Sequence, residues 1–132
     1  MGAKMTDTEL KKQAWEKDQR RYSFIRIWQR RYNHMLARHD GRATNSSNAQ
    51  AKGIMERQEF FEWCKKFDNL NVFIALYFDW AAEDFPLHLA PSVDRIDPNL
   101  GYVEGNLQWL SFEENCRKNN INPVNHSNEV WE

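Results

Sequence analysis

Five polar side chains in the last third of the chain have the types and the spacing to do chemistry. Asp94 stands beside Arg95, Asn106 follows, and Asn115 lies 21 residues after Asp94, with Asn119 one helical turn further on. A carboxylate and an amide carbonyl are hard oxygen donors, which suit Mg2+ or Mn2+. A cation held by them would stabilise charge on a phosphodiester and on its leaving oxygen. Such chemistry also wants a side chain across the phosphate to activate water, usually His. The plainer alternative is that Asp94 caps a turn, and Asp97-Pro98 has turn chemistry of its own. Asn115 inside a helix is mildly unfavourable. That cost fits a ligand, although Asn119 on the same helix face could be the ligand in its place.

Three short elements must position these residues. "SVDRI" is short and β-prone, and "DPNLGY", with Pro98 and Gly101, reads as a turn. In "NLQWL", Leu107 and Trp109 alternate with Gln108, which predicts a second strand. Ser111 and Glu114 then have capping-box spacing and open a helix through "SFEENCRKNN". Strand, loop, strand and helix thus follow within about thirty residues, a ββα unit able to hold one divalent ion between hairpin and helix.

The rest of the chain reads as helical. Thr6 and Glu9 form another capping box, and no Pro or Gly interrupts the sequence from there to Arg38. Trp15, Tyr22, Ile25, Trp28, Tyr32, Met35 and Leu36 recur at three- and four-residue steps, which predicts one long helix, open to interruption. Gly41 is its stop signal. Residues 43–54 are small and polar and predict a loop. "ERQEFFEWCKKF" predicts a helix with Phe60, Trp63, Cys64 and Phe67 on one face. Another is expected from Asp68 or Asn69, with Leu70, Phe73, Ile74, Tyr77 and Trp80 or Ala81 inward. Pro86 and Pro91 bracket an extended piece. The fold class is therefore α+β, mostly helical. Its parts are a basic helical arm (1–42), a helical core region (43–91), the ββα unit (92–121) and a polar tail (122–132), in one compact domain. The aromatic stripes are read as core.

Net charge is −1, but it is segregated. Residues 1–42 hold eleven Lys and Arg against five Asp and Glu, whereas residues 92–132 hold three against seven. This points to a polyanion-binding arm beside a carboxylate-rich site, or to a basic helix packed on its own acidic domain. Arg20, Arg21, Arg26, Arg30 and Arg31 are the candidate contacts to a DNA backbone. Cys64 and Cys116 lie far apart with no CxxC, so neither a zinc knuckle nor a disulfide framework is indicated. No apolar run reaches membrane-spanning length, and the first residues lack the apolar core of a signal peptide. A soluble, cytoplasmic protein without a membrane partner is expected.

The segment 91–120 resembles the HNH branch of the His-Me finger nucleases. It is most similar to the compact homing-endonuclease type that lacks zinc knuckles and is common in phage genomes. Where that type has "VDHID" and "NLRW", this chain has "VDRID" and "NLQW", followed by "ENCRKNN". The resemblance implies that Asp94 and Asn115 are metal ligands and that the Asn106 amide ties the interstrand loop to the hairpin. Trp109 would be a buried strand residue. It further implies a metal-dependent endonuclease that hydrolyses DNA phosphodiester bonds, with Mg2+ or Mn2+ as cofactor and DNA ahead of RNA as partner. Phage relatives sharing "SIDRID" widen the likeness to the preceding aromatic helices.

Arg95 departs from the pattern, because it stands where the general-base His would be. A guanidinium cannot accept a proton at neutral pH. Three outcomes follow. Another group serves as base, His88 and Asp97 being nearest in sequence. Alternatively, the ion activates water with little help while Arg95 binds the phosphate bidentately. In the last case the unit no longer cuts, and the protein is a nucleic-acid- or protein-binding regulator or inhibitor.

Overall fold

A computed structural model describes residues 5–13, 22–43 and 49–120. Residues 7–13 are helical, and the Thr6–Glu9 box closes in both directions. Thr6 N–H donates to Glu9 Oε2 and Glu9 N–H to Thr6 Oγ1, each at 3.2 Å. The predicted long helix does not run through. Ser23 is extended (φ −69°, ψ 151°), and its hydroxyl accepts from Arg26 N–H, so a new helix starts there. This helix, α1 (Phe24–His39), buries Ile27, Trp28, Tyr32 and Met35. It ends as Gly41 predicts. Arg42 N–H bonds Ala37 O, Gly41 N–H bonds Arg38 O, and Gly41 takes φ +76°. That is a Schellman closure, which needs a left-handed residue at Gly41.

Helix α2 (Arg57–Lys65) and helix α3 (Phe67–Ala82) are separated by one extended residue, Lys66. The second therefore starts before the predicted caps Asp68 and Asn69. Asn69 instead donates its amide to Trp63 O at 2.9 Å, tying the two helices together. Phe67, expected inward on the first of the pair, begins the second and is exposed. The piece between Pro86 and Pro91 is not wholly extended, since Leu87–Leu89 form a 3-10 turn.

Strands β1 (Pro91–Arg95) and β2 (Leu107–Ser111) pair antiparallel, with Val93 opposite Trp109 and Asp94 opposite Gln108. Helix α4 (Phe112–Lys118) follows at once, with Ser111 Oγ accepting from Glu114 N–H. Trp109 carries the hairpin into the core. Its ring lies 4.8 Å from Phe73, 5.7 Å from Trp63 and 6.4 Å from Phe60. Phe60, Phe73 and Trp80 are fully buried, so the aromatic stripes are core. The hairpin thus sits on a packed aromatic floor, and its other face is left to α4. The architecture is α+β and mostly helical, with a single two-stranded sheet among the described residues.

The loop between the strands is sewn to an earlier segment. Tyr102 N–H donates to Gly53 O and Met55 N–H to Tyr102 O, making a parallel bridge between Ile54 and Tyr102. Gly101 is required by the same approach. A Cβ there would lie 2.2 Å from Gly53 O and 2.4 Å from Lys52 O, both backbone atoms. Residues 49–53, described next to Ile54, are thus docked against the interstrand loop, and Ala49 is fully buried.

Candidate metal and phosphate site

Asp94 lies on the outer face of β1, 2% exposed, and every donor around it is identifiable. Its Oδ2 accepts from Gln108 Nε2 at 2.8 Å, directly across the hairpin, and lies 3.1 Å from Lys118 Nζ. Its Oδ1 accepts from Asn119 Nδ2 at 3.2 Å. Strand alternation sends the next residue the other way. Arg95 folds into the interstrand loop, where Nη1 donates to Pro98 O at 3.0 Å and Leu100 O at 3.2 Å. Its guanidinium lies 5.5 Å from the centre of the Tyr102 ring. Burial holds Arg95 below its ordinary basicity; the charge of Arg38 acts the same way, while Tyr102 and Asp94 oppose it. The expected phosphate clamp is, in this structure, a buried loop brace.

Asn115 is oriented by its neighbours. Its Nδ2 donates to Ser92 Oγ at 3.0 Å and to Val93 O at 3.3 Å. A backbone carbonyl only accepts, so the amide nitrogen must face β1 and Oδ1 must face away. That Oδ1 accepts from Asn119 Nδ2 at 2.6 Å. One amide nitrogen is therefore shared by Asp94 Oδ1 and Asn115 Oδ1. Of the two asparagines left open by the sequence, Asn115 directs its oxygen into the site. Asn119 directs a donor, which is also fixed by Asn115 O at 2.9 Å.

Asn106 is 4% exposed and pins the loop from within. Its Oδ1 accepts from Asp97 N–H at 2.8 Å, and its Nδ2 donates to Asp97 O at 3.1 Å and Gly101 O at 2.8 Å. Asp97, one of the two bases suggested by proximity in sequence, is a turn residue whose Oδ1 accepts from Asn99 N–H at 2.9 Å. The other, His88, is exposed on the 3-10 turn and does not line the site.

Two small clefts meet here. One, of about 20 Å3, is lined by Asp94, Arg95, Asn115, Asn119 and Arg38, and has room for a water or an ion. The other, of about 40 Å3, shares Arg38 and Asn115 and adds Ser92, Arg31 and His34. From the sequence, His34 has no partner pattern and is expected on the surface, and Arg38 is expected only as one of the arginines on the long helix. Arg31, His34 and Arg38 lie on one face of α1 at steps of three and four, the signal that could have singled them out. Of the other candidate DNA contacts, Arg26 is exposed, Arg30 is half-buried, and Arg20 and Arg21 lie outside the described residues.

The donor set suits a hard cation. Two oxygens, one charged and one neutral, converge on a point now filled by an electropositive amide N–H2. A cation there requires the Asn119 side chain to swing aside. Among the described residues, no three His, Cys, Asp or Glu side chains gather at one point, so the ion would be held by one carboxylate and amide oxygen. No helix among them is long and apolar enough to cross a membrane. No family model, curated protein or solved structure matches the chain.

Proposed function

We propose that the protein is a metal-dependent endonuclease of the HNH type, hydrolysing phosphodiester bonds in DNA. The observation that carries this reading is the convergence of Asp94 Oδ1 and Asn115 Oδ1 on one amide nitrogen. Asp94 and Asn115 would hold Mg2+ or Mn2+, which supplies charge stabilisation to the phosphate and the leaving oxygen. Gln108 and Lys118 hold the Asp94 carboxylate in place, and Ser92 and Val93 hold the Asn115 amide. Asn106 keeps the interstrand loop closed beside them. The attacking water needs a proton acceptor. Of the described histidines, His34 is the one that lines these clefts, and it takes that role in place of the missing strand histidine.

Plasmid nicking tests the reading. Supercoiled DNA is incubated with the protein and Mg2+ or Mn2+, beside an Asp94→Ala variant. Nicking that requires the ion and disappears in the variant is the expected result. No nicking with either ion rejects the enzyme.

A second reading has its own observation. Lys118 Nζ lies against the carboxylate that a cation would need, and Arg95 is turned into the loop. On that reading the unit is an HNH-like scaffold that binds nucleic acid or a protein without cutting. DNA binding that persists without nicking is its signature.

A further inference from the structure

Helix α3 has two unlike faces. Phe73 and Trp80 belong to the aromatic core and are buried. On the other side Phe67 is 79% and Phe78 65% exposed, with half-buried Ile74 between them. Phe67, Asn71, Ile74 and Phe78 follow at steps of four, three and four, so they form one seam of about three turns. A second row runs beside it: Asp68, Val72, Ala75, Asp79 and the C-cap Glu83, all exposed. Among the described residues, none of these three acids makes a hydrogen bond or an ion pair. The helix carries no Lys, Arg or His to offset them. Exposed Ala75 and Ala82 are small and leave room for a close neighbour. Single exposed apolar side chains are ordinary, but two phenylalanines on one seam with a flank of one charge sign have the make-up of an interface.

We propose that this face of α3 is the docking site for a basic amphipathic helix of another protein. The partner's apolar side chains would cover Phe67, Ile74 and Phe78, and its Lys or Arg side chains would run along Asp68, Asp79 and Glu83. Charge complementarity chooses this occupant. A second copy laying its α3 antiparallel on the seam, Phe67 over Phe78, would bring the two acidic rows together, with Asp68 of one near Asp79 of the other. An anionic lipid surface or a nucleic-acid backbone is repelled by the same row. Exposed ion pairs add little affinity, so burial of the two rings supplies most of the binding, and the carboxylates set partner and register. The inference does not depend on DNA cleavage.

Two fluorescein-labelled synthetic helical peptides, each as long as α3, test this. Both carry leucines at the seam spacing; one has lysine and the other glutamate at the flanking positions. Fluorescence anisotropy with the full chain should show the lysine peptide binding and the glutamate peptide binding at least about tenfold more weakly. Phe67→Ser and Phe78→Ser should each weaken the lysine peptide by about tenfold. Asp79→Asn should weaken it by about two- to fivefold and reduce the fall of affinity with NaCl. Ile96→Ser, at a half-exposed residue of the interstrand loop, is the control and should change nothing. The substituted side chains are exposed, so the variants should fold, which circular dichroism checks. No binding of the lysine peptide, equal binding of both peptides, or binding that both phenylalanine variants leave intact overturns the proposal. Sedimentation velocity of the protein alone and flotation with phosphatidylserine vesicles read the other occupants. A dimer that Phe78→Ser abolishes gives the face to a second copy, and vesicle binding that it abolishes gives the face to a membrane; either overturns the proposal.

Discussion

Lys118 Nζ sits 3.1 Å from the Asp94 carboxylate, and Asp94 is almost completely buried while Lys118 remains about a third exposed. The ammonium also donates to Arg95 O at 3.0 Å, so α4 supplies the positive charge at the end of β1. Lysine and a divalent ion would thus compete for one carboxylate, a competition that stability can report. Lys118→Met leaves a buried carboxylate with only Gln108 and Asn119 as donors. In EDTA the variant should be less stable than the parent by about 1–3 kcal/mol, the exposed side of Lys118 keeping the cost below that of a fully buried pair. Mg2+ or Mn2+ should then raise its melting temperature more than that of the parent, because the ion binds only the folded site. Thermal melts with and without metal decide this. An equal response in both proteins removes Asp94 from any cation site.

Asn106 makes the clearest structural prediction. Its amide satisfies one N–H and two carbonyls of the interstrand loop from a buried position. Asn106→Ala removes all three bonds and should cost about 2–4 kcal/mol. Asn106→Asp keeps the bond from Asp97 N–H but turns an anion toward Asp97 O and Gly101 O, so it should be no better than the alanine variant. Urea denaturation gives the cost. Hydrogen exchange at the Asp97 amide should accelerate in the alanine variant before the core amides do.

The hairpin and its helix were legible because their signals are local. Leu107 and Trp109 alternate with Gln108, and Ser111 faces Glu114 across one turn. The break before α1 was harder to see, since Tyr22, Ile25 and Trp28 keep a three-residue rhythm straight through it. Only the Ser23 hydroxyl marked the new start. The loop-tying role of Asn106 was implied by the HNH resemblance rather than by any local signal, and its amide does bond Asp97 and Gly101. The inward turn of Arg95 was not legible, because its acceptors are carbonyls, which any sequence carries. Nor was His34 legible: sixty residues separate it from Asp94, and only the tertiary fold brings it to the cleft that Ser92 and Asn115 also line.

Cys64 gives a pH prediction. Burial raises its thiol well above the ordinary 9.0. As pH rises, the unfolded chain loses this proton first while the folded chain keeps it. Stability is therefore fully present below about pH 9 and is lost above it, by up to about 1.4 kcal/mol per pH unit. Tyr32 and Tyr77, also raised by burial, add to the loss beyond their ordinary 10.0. Urea midpoints followed from neutral to alkaline pH should fall first with Cys64. Cys64→Ala should flatten that first fall and leave the later one. A parent whose midpoint holds steady past pH 10 would contradict it.

Arg95→His addresses the residue that departs from the HNH pattern. If Arg95 merely occupied the place of a base, histidine there would restore cutting or increase it. The structure gives Arg95 a different task. It braces the turn through Pro98 O and Leu100 O and lies against the buried Tyr102 ring. An imidazole is shorter and cannot donate to both carbonyls from one nitrogen. The variant should lose about 1–3 kcal/mol of stability. Its nicking, measured below its own melting temperature, should not exceed the parent's. Arg95→Lys keeps the charge and can reach one carbonyl, so it should fall between the two in stability. Faster nicking by the histidine variant, with stability unchanged, would assign position 95 to proton transfer and take that role from His34.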